Sequence, residues 1–268
     1  MSLPQVVPNI LRFDSVVSTQ EKLRELAALG RGEGTVIVAK RQSKGRGRMD
    51  RSWHSPQGGL YLSLLIYPEN KKRLTDLSLL AGAVLSQTVK HFLPNEVGVR
   101  VGVKWPNDCL INGQKVGGVL CEVVTHGIKQ GVIIGVGLNL NIPHSELAAF
   151  SERPFQATSL SAHGLTELEK RLDSEIVLQR YLENFFKAYE TYQKEGFCFL
   201  QKFWERECLF IGKKLELRET GLPQEKTSSP VFIQGTFLGI DEQGALVLSN
   251  SQGDRQSYMT GEITCYWS

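Results

Sequence analysis

Long apolar runs are missing from this chain. No stretch approaches the roughly 18 consecutive apolar residues of a membrane-spanning helix, and no charged-then-apolar leader opens it. The expectation is a cytoplasmic protein with no membrane partner. Cysteine is sparse and scattered: the five (Cys109, Cys121, Cys198, Cys208, Cys265) are odd in number and include no CxxC pair. That argues against a zinc site or a redox dithiol and fits a reducing compartment. An excess of one charge sign is lacking too. With 31 Lys/Arg against 28 Asp/Glu the net charge is only +3, which points neither toward nor away from a polyanionic partner. Internal repeats are absent.

What is present is an ordinary globular composition, 41% hydrophobic with 26 glycines over 268 residues, enough for one large domain and a small one. Ser18-Thr19-Gln20-Glu21 reads as a capping-box helix start, followed by Leu23, Leu26 and Ala27 on one face and Gly30 as a stop. Val36 to Ala39 is a short strand. Leu60, Leu62, Leu64 and Ile66 alternate as a strand after the Gly58-Gly59 turn. Thr75 to Phe92 carries helical apolar spacing up to Pro94. Strands follow at about Val97–Lys104, Cys109–Val124 (with a tight turn inside) and Val132–Asn141, then helices at about Asp173–Tyr192 and Cys198–Arg206. Beyond Cys208 come short strands at Leu215–Arg218, Val231–Leu238, Ala245–Leu248 and Ile263–Tyr266, the texture of a small β-barrel or sandwich.

Chemistry concentrates in four segments. Between Lys40 and Arg51 lie six Lys/Arg against one acid, Asp50. Gly45 and Gly47 let this loop fold tightly, Arg46 and Arg48 offer bidentate donors for phosphate, and Trp53 can cover a flat ring. A nucleic-acid surface would want more basic area and more aromatics. In VGVRVGVKW, Val97 to Trp105, the odd positions are apolar while the even ones are Gly98, Arg100, Gly102 and Lys104. Glycine alternating with cations on one strand face suits an anion lying flat on the sheet; a solvated face reads the same pattern equally well.

Asn112-Gly113 marks a two-residue type I′ hairpin turn. Regular pairing sets Ile111 against Gln114, Leu110 against Lys115 and Asp108 against Gly117, with Asp108 and Lys115 within mutual reach and Gly117 and Gly118 clearing space beside the lysine. Lysine beside aspartate on a sheet reads either as a modest ion pair or as a catalytic group. In Val132–Asn141, Gly135, Gly137, Asn139 and Asn141 share a face that a planar ligand can approach. The third glycine of a dinucleotide fingerprint is missing.

In this order, GRGRMDRSW (Gly45–Trp53), KWPND (Lys104–Asp108), KVGGVLCE (Lys115–Glu122) and GVGLNLN (Gly135–Asn141) resemble the biotin–protein ligase family, and GIDEQGAL (Gly239–Leu246) is similar to that family's C-terminal barrel. The resemblance covers essentially the whole chain. It implies an α+β fold: a catalytic domain over residues 1–208, built on a mixed β-sheet flanked by helices and shared with lipoate ligases, then an SH3-like β-barrel over 209–268. It implies an ATP-dependent ligase that joins biotin and ATP into biotinyl-5'-AMP with Mg2+ and passes biotin to a lysine of a biotin carboxyl carrier domain, of acetyl-CoA carboxylase or a related carboxylase.

Carried over to this numbering, Ser18, Thr19 and Gln42 would line the pocket for the fused urea ring, and Gly45, Arg46, Arg48, Lys115, Gly117, Gly118 and Gly135 would complete the biotin site. Arg48, Arg51, Trp53, Lys104, Asn107, Lys115 and Asn139 would hold ATP and the adenylate. Lys115, Arg48, Lys104 and Asp108 would be catalytic, Asp108 also meeting magnesium. Gln20 stands where the family often has asparagine. Some relatives carry a DNA-binding winged helix ahead of the ligase domain; Ser18-Thr19 lies so early that none is expected here, nor a nucleic-acid partner. A sheet edge near residues 131–141 is the expected surface for any homodimer. The rival readings are a lipoate or octanoate ligase, whose R-R-x-S-G-G-G loop differs from GRGRMDRSW, and a non-catalytic binder on the same fold.

Overall fold

Strands made of β-branched and leucine residues and one long apolar helix determine the architecture. The computed structural model describes residues 6–69, 73–94, 98–126, 129–148, 156–163, 171–218 and 232–265. Seven strands, β1 (Asn9–Phe13), β2 (Thr35–Ala39), β3 (Leu60–Ile66), β4 (Val101–Lys104), β5 (Asp108–Ile111), β6 (Gln114–His126) and β7 (Lys129–Leu138), form one sheet in the order β1-β2-β3-β7-β6-β5-β4. Only β1 and β2 run parallel, so the sheet is mixed. The crossover between these two carries α1 (Thr19–Ala28), as a parallel connection requires.

The sheet's two faces are covered differently. On one, α2 (Asp76–His91), α4 (Ser174–Glu195) and α5 (Phe197–Glu207) bury the main core, with Leu85, Val136, Leu138, Tyr181, Phe185 and Trp204 inside it, while the short α3 (His144–Ala148) follows β7. Helix α4 begins at Asp173, whose side chain accepts the Glu175 N–H at 2.8 Å, and stops at Gly196 with φ 69°. Its stripe of Val177, Leu178, Tyr181, Leu182, Phe185 and Tyr189 follows helical spacing and is buried. On the opposite face α1 covers only part of the sheet, burying Leu23 and Ala27 against Ile37, Leu65, Val124 and Ile133. The remainder of that face is left for a cleft.

Five further strands, β8 (Lys214–Arg218), β9 (Phe232–Ile240), β10 (Leu246–Ser249), β11 (Arg255–Tyr258) and β12 (Glu262–Cys265), make an antiparallel sheet in the order β11-β10-β9-β8-β12. It packs beside α5: Trp204 meets Phe237 edge-on at 6.3 Å, and Gln201 Nε2 donates to Ile240 O at 2.6 Å. One hydrophobic core runs without a break from Leu85 to Leu217, Phe237 and Leu248, across both sheets. Among the described residues no helix is long and apolar enough to cross a membrane.

Four expectations change. First, the strand expected from Val97 starts only at Val101; Val97 lies outside the described residues, and Gly98 (φ 118°) and Arg100 precede the strand. The space at Gly102 is filled by protein, because a Cβ there would strike Glu207 O and lie 2.6 Å from Leu209 Cγ. Of the Gly/cation face only Lys104 reaches the cleft; Gly102 is packed against protein and Arg100 is exposed. Second, the hairpin turn forms with Asn112 and Gly113 both at positive φ (48° and 81°), but the register shifts between Cys109 and Leu110, so that Asp108 pairs with Gly118 and Cys109 with Gly117. Third, β7 is central, hydrogen-bonded to β3 and β6, so residues 131–138 are no sheet edge; the edges are β1 and β4. Fourth, β1 and β11 were not anticipated from the pattern, because NILRF lacks strict alternation and RQSY is polar and exposed over three of its four residues.

Candidate active site

The cleft has a floor of glycine. Gly118 on β6 pairs with Gly137 on β7, and Leu120 with Gly135. A Cβ at Gly137 would lie 2.5 Å from Trp53 Nε1, one at Gly135 2.8 Å from Gln20 Oε1, and one at Gly118 3.2 Å from Asp108 Oδ1. Absent side chains thus let Trp53, Gln20 and Asp108 settle on the backbone itself. The cleft volume is about 770 Å³, within the usual range for small-molecule sites.

The N-terminus of α1 forms one wall. Ser18 is its N-cap residue, with φ −152° and ψ 137°, yet its side chain makes no cap hydrogen bond: Ser18 Oγ is buried without a hydrogen-bond partner among the described residues. The capping-box reading is therefore replaced by a hydroxyl turned elsewhere. Thr19 is held by Gln42, whose Oε1 accepts from Thr19 N at 2.8 Å and Thr19 Oγ1 at 3.1 Å; Gln42 Nε2 donates to Ser55 Oγ at 2.8 Å and Ser63 Oγ to Thr19 Oγ1 at 2.9 Å.

The loop between β2 and β3 forms the roof. Trp53 N donates to Gly45 O at 2.8 Å and Gly47 N to Arg51 O at 2.7 Å, making a small hairpin whose tip residues, Met49 (φ 55°) and Asp50 (φ 57°), are left-handed. A Cβ at Gly45 would strike Trp53 O, so glycine is required there; at Gly47 the nearest atom would be 3.3 Å away, a milder constraint. Arg46 is anchored to Glu122 on β6 (3.1 Å), which also receives Arg24 of α1 (3.2 Å) and Gln20 Nε2 (3.0 Å). Arg51 pairs with Glu262 of β12. That contact first, and the charges of Lys104 and Arg218 beside it, hold the Glu262 carboxyl below the usual range against its burial.

The cationic end is built by β4, β5 and β6. Lys115 Nζ lies 2.8 Å from Asp108 Oδ1 and 5.2 Å from the Trp53 ring centre; Lys104 Nζ lies 3.7 Å from Asp108 Oδ2. Burial pushes the Asp108 carboxyl up, but Lys115, Lys104 and Arg48 together outweigh it and hold the group below the usual carboxylate range. Arg48 makes no side-chain hydrogen bond among the described residues. Lys115 is braced from behind, its N–H donating to Gln156 O (2.7 Å) and its carbonyl accepting from Thr158 N (2.9 Å). Among the described residues no group of three or more His, Cys, Asp or Glu is placed to hold a metal ion.

Of the residues singled out from sequence, Ser18, Thr19, Gln42, Gly45, Arg46, Arg48, Arg51, Trp53, Lys104, Asp108, Lys115, Gly118, Gly135 and Asn139 line this cleft. Two do not. The register shift turns Gly117 toward α2, where a Cβ would lie 3.1 Å from Leu85 Cδ2. Asn107 is buried behind the cleft, its Nδ2 donating to Val119 O at 2.6 Å and Ser78 Oγ at 3.2 Å, so it holds the turn that carries Asp108. Asn139 spends its amide on Thr158 O (3.0 Å), and Asn141 on Leu172 O (2.8 Å). Gln20, Arg218 and Glu262 also reach the cleft. Nothing in the sequence marked the last two, which arrive from the second sheet.

A glycine floor, an arginine roof and two lysines at one end give the cleft the shape and charge to take an extended anionic molecule. Residues 13–139 match the profile of the biotin/lipoate A/B protein ligase family, and residues 229–264 that of the biotin protein ligase C-terminal domain. The chain is 35% identical over 254 residues to the bifunctional ligase/repressor BirA of Bacillus subtilis, covering 93% of this chain and 72% of that one. It is 30% identical to the biotin–[acetyl-CoA-carboxylase] ligase of Paracoccus denitrificans over 95% and 98% of the two chains. The biotin protein ligase of Aquifex aeolicus, solved with biotin and ATP, superposes with a TM-score of 0.75 at 28% identity over 97% and 99%. The chain belongs to the biotin protein ligase family.

Proposed function

We propose that the chain is an ATP-dependent biotin–protein ligase, acting first on biotin and ATP and then on a lysine of a biotin carboxyl carrier domain such as that of acetyl-CoA carboxylase. The observation that carries this is the pairing of a polar pocket at Ser18–Gln20 with the Lys115–Asp108–Lys104 cluster along one continuous cleft. The Paracoccus and Aquifex relatives are named for the same chemistry.

In the first step the biotin carboxylate oxygen attacks the α-phosphorus and pyrophosphate leaves. Two anions must meet, so cations are needed at the junction: Lys115 and Lys104 supply fixed charge there, and Arg48, with no side-chain hydrogen bond among the described residues, is available to the phosphate. Asp108, the carboxylate at this end of the cleft beside Lys104 and Lys115, is the residue that would hold a magnesium ion brought with the nucleotide. That ion would supply charge neutralisation on the phosphates. Trp53, on Gly137, walls the nucleotide side, its indole N–H without a hydrogen-bond partner among the described residues. The mixed anhydride hydrolyses in open water, and the Gly45–Trp53 roof excludes it. An acceptor amine then attacks the acyl carbon and AMP departs. Residues 1–208 act as the catalytic domain and 209–268 as a unit that completes the rim through Arg218 and Glu262.

The test is incubation with magnesium-ATP and labelled biotin, with and without an acceptor domain. Acid-labile adenylate alone and stable label on the acceptor are expected. Adenylate from lipoate or octanoate and none from biotin would overturn the substrate, and none from any acid would overturn the activity.

A further inference from the structure

The nucleophile of the second step arrives with the wrong charge for this cleft. A lysine side chain enters as an ammonium, with an ordinary pKa of about 10.4. Among the described residues the cleft is lined by seven lysines and arginines against two carboxylates, Asp108 and Glu262. Such a balance suits phosphates and helps an ammonium lose a proton, but the nitrogen must shed another as the amide forms, and that proton needs a base. Asp108 is already engaged, with Lys115 at 2.8 Å and Lys104 at 3.7 Å. Glu262 is the other carboxylate. It stands on β12, at the rim where Arg51 of the roof meets the second sheet, with its side chain 30% exposed. The charges of Lys104 and Arg218 act on it as well, which puts it at the cationic end of the cleft and within reach of water.

We propose that Glu262 is a catalytic residue of the second half-reaction, the base that takes the proton of the acceptor nitrogen. The inference rests on the ligase reading above. The ammonium gives a first proton to water at the rim, and the amine attacks the acyl carbon. The nitrogen turns cationic as the C–N bond forms, and Glu262 takes its proton. The bond from the acyl carbon to the bridging oxygen breaks, AMP leaves with the electron pair, and Glu262 returns the proton to water. Arg51 sets the timing. In the empty cleft it pairs with Glu262 and holds the carboxyl below its usual range. A phosphate in the cleft offers the guanidinium a second anion. What Arg51 gives to that phosphate it withdraws from Glu262, whose basicity then rises when the proton must be taken.

The measurement is single-turnover transfer from preformed biotinyl-adenylate to an acceptor domain, set beside pyrophosphate release in the first step. Wild type, Glu262→Gln and Glu262→Ala are compared. Transfer falls about hundredfold in both variants, the scale of a lost general base, and by at least about tenfold more than pyrophosphate release does. Formate, a small carboxylate able to occupy the vacated space, restores transfer in Glu262→Ala, whereas neutral formamide does not. Glu262→Ala with formate carries the test alone if Glu262→Gln does not fold. Transfer within about twofold of wild type in a folded variant, an equal loss in both half-reactions, or a Glu262→Ala rate that formate leaves unchanged overturns the role of Glu262 and leaves the ligase reading standing. A wild type that makes no adenylate from biotin overturns both.

Discussion

Lys115 is braced twice by the backbone of residues 156–158, capped by Asp108 and set beside the Trp53 ring. Its ammonium is therefore placed before any substrate arrives. Lys115→Ala should lower adenylate formation by about 10²–10³-fold, the size of a lost preorganised donor, with melting temperature little changed; near-normal pyrophosphate release would refute the assignment. Asp108 gives a pH signature. Its folded-state pKa is depressed, so its contribution to stability is complete above the unfolded value of about 3.9 and is lost as pH falls through the lower folded value. Melting curves from pH 3 to 7 should show wild type losing stability in the acid limb more steeply than Asp108→Asn. Both residues were legible in the sequence because a two-residue turn forces β5 against β6. Gln20 and Glu122 were not: their meeting depends on α1 lying across β6, which no local pattern states.

At the scale of elements, the roof loop and the hairpin behave differently as texts. The loop reads in part: Gly45 allows the tight fold its position suggests, whereas Arg46 and Arg51 are engaged by Glu122 and Glu262, attachment points the sequence left unsaid. Arg48→Gly should still form adenylate but release it, seen as acid-labile product in the filtrate after rapid filtration; retention at wild-type level would count against it. Gly137→Val should displace Trp53 and raise the KM for ATP at least about tenfold, sparing biotin binding by calorimetry. In the hairpin, turn type and first pairs follow from Asn112-Gly113, while the extra residue in β6 does not. Val116 is fully buried, and core demand inserts the irregularity that brings Gly118 to the cleft and sends Gly117 to Leu85. Gly102 failed for a related reason: glycine announces close approach but not by whom.

For the whole molecule, the two sheets were legible as separate textures, whereas their common interior was not, because it is assembled from residues more than a hundred positions apart. Leu85, Trp204 and Phe237 belong to one packed cluster. Calorimetry should accordingly give a single melting peak, and residues 1–208 alone should expose Trp204 and aggregate; two resolved peaks would disprove it. The unbroken core should also make the molecule thermodynamically indivisible. Whatever free energy biotin contributes by binding the first sheet is then felt as slower amide exchange in β9 and β10, strands the ligand never touches.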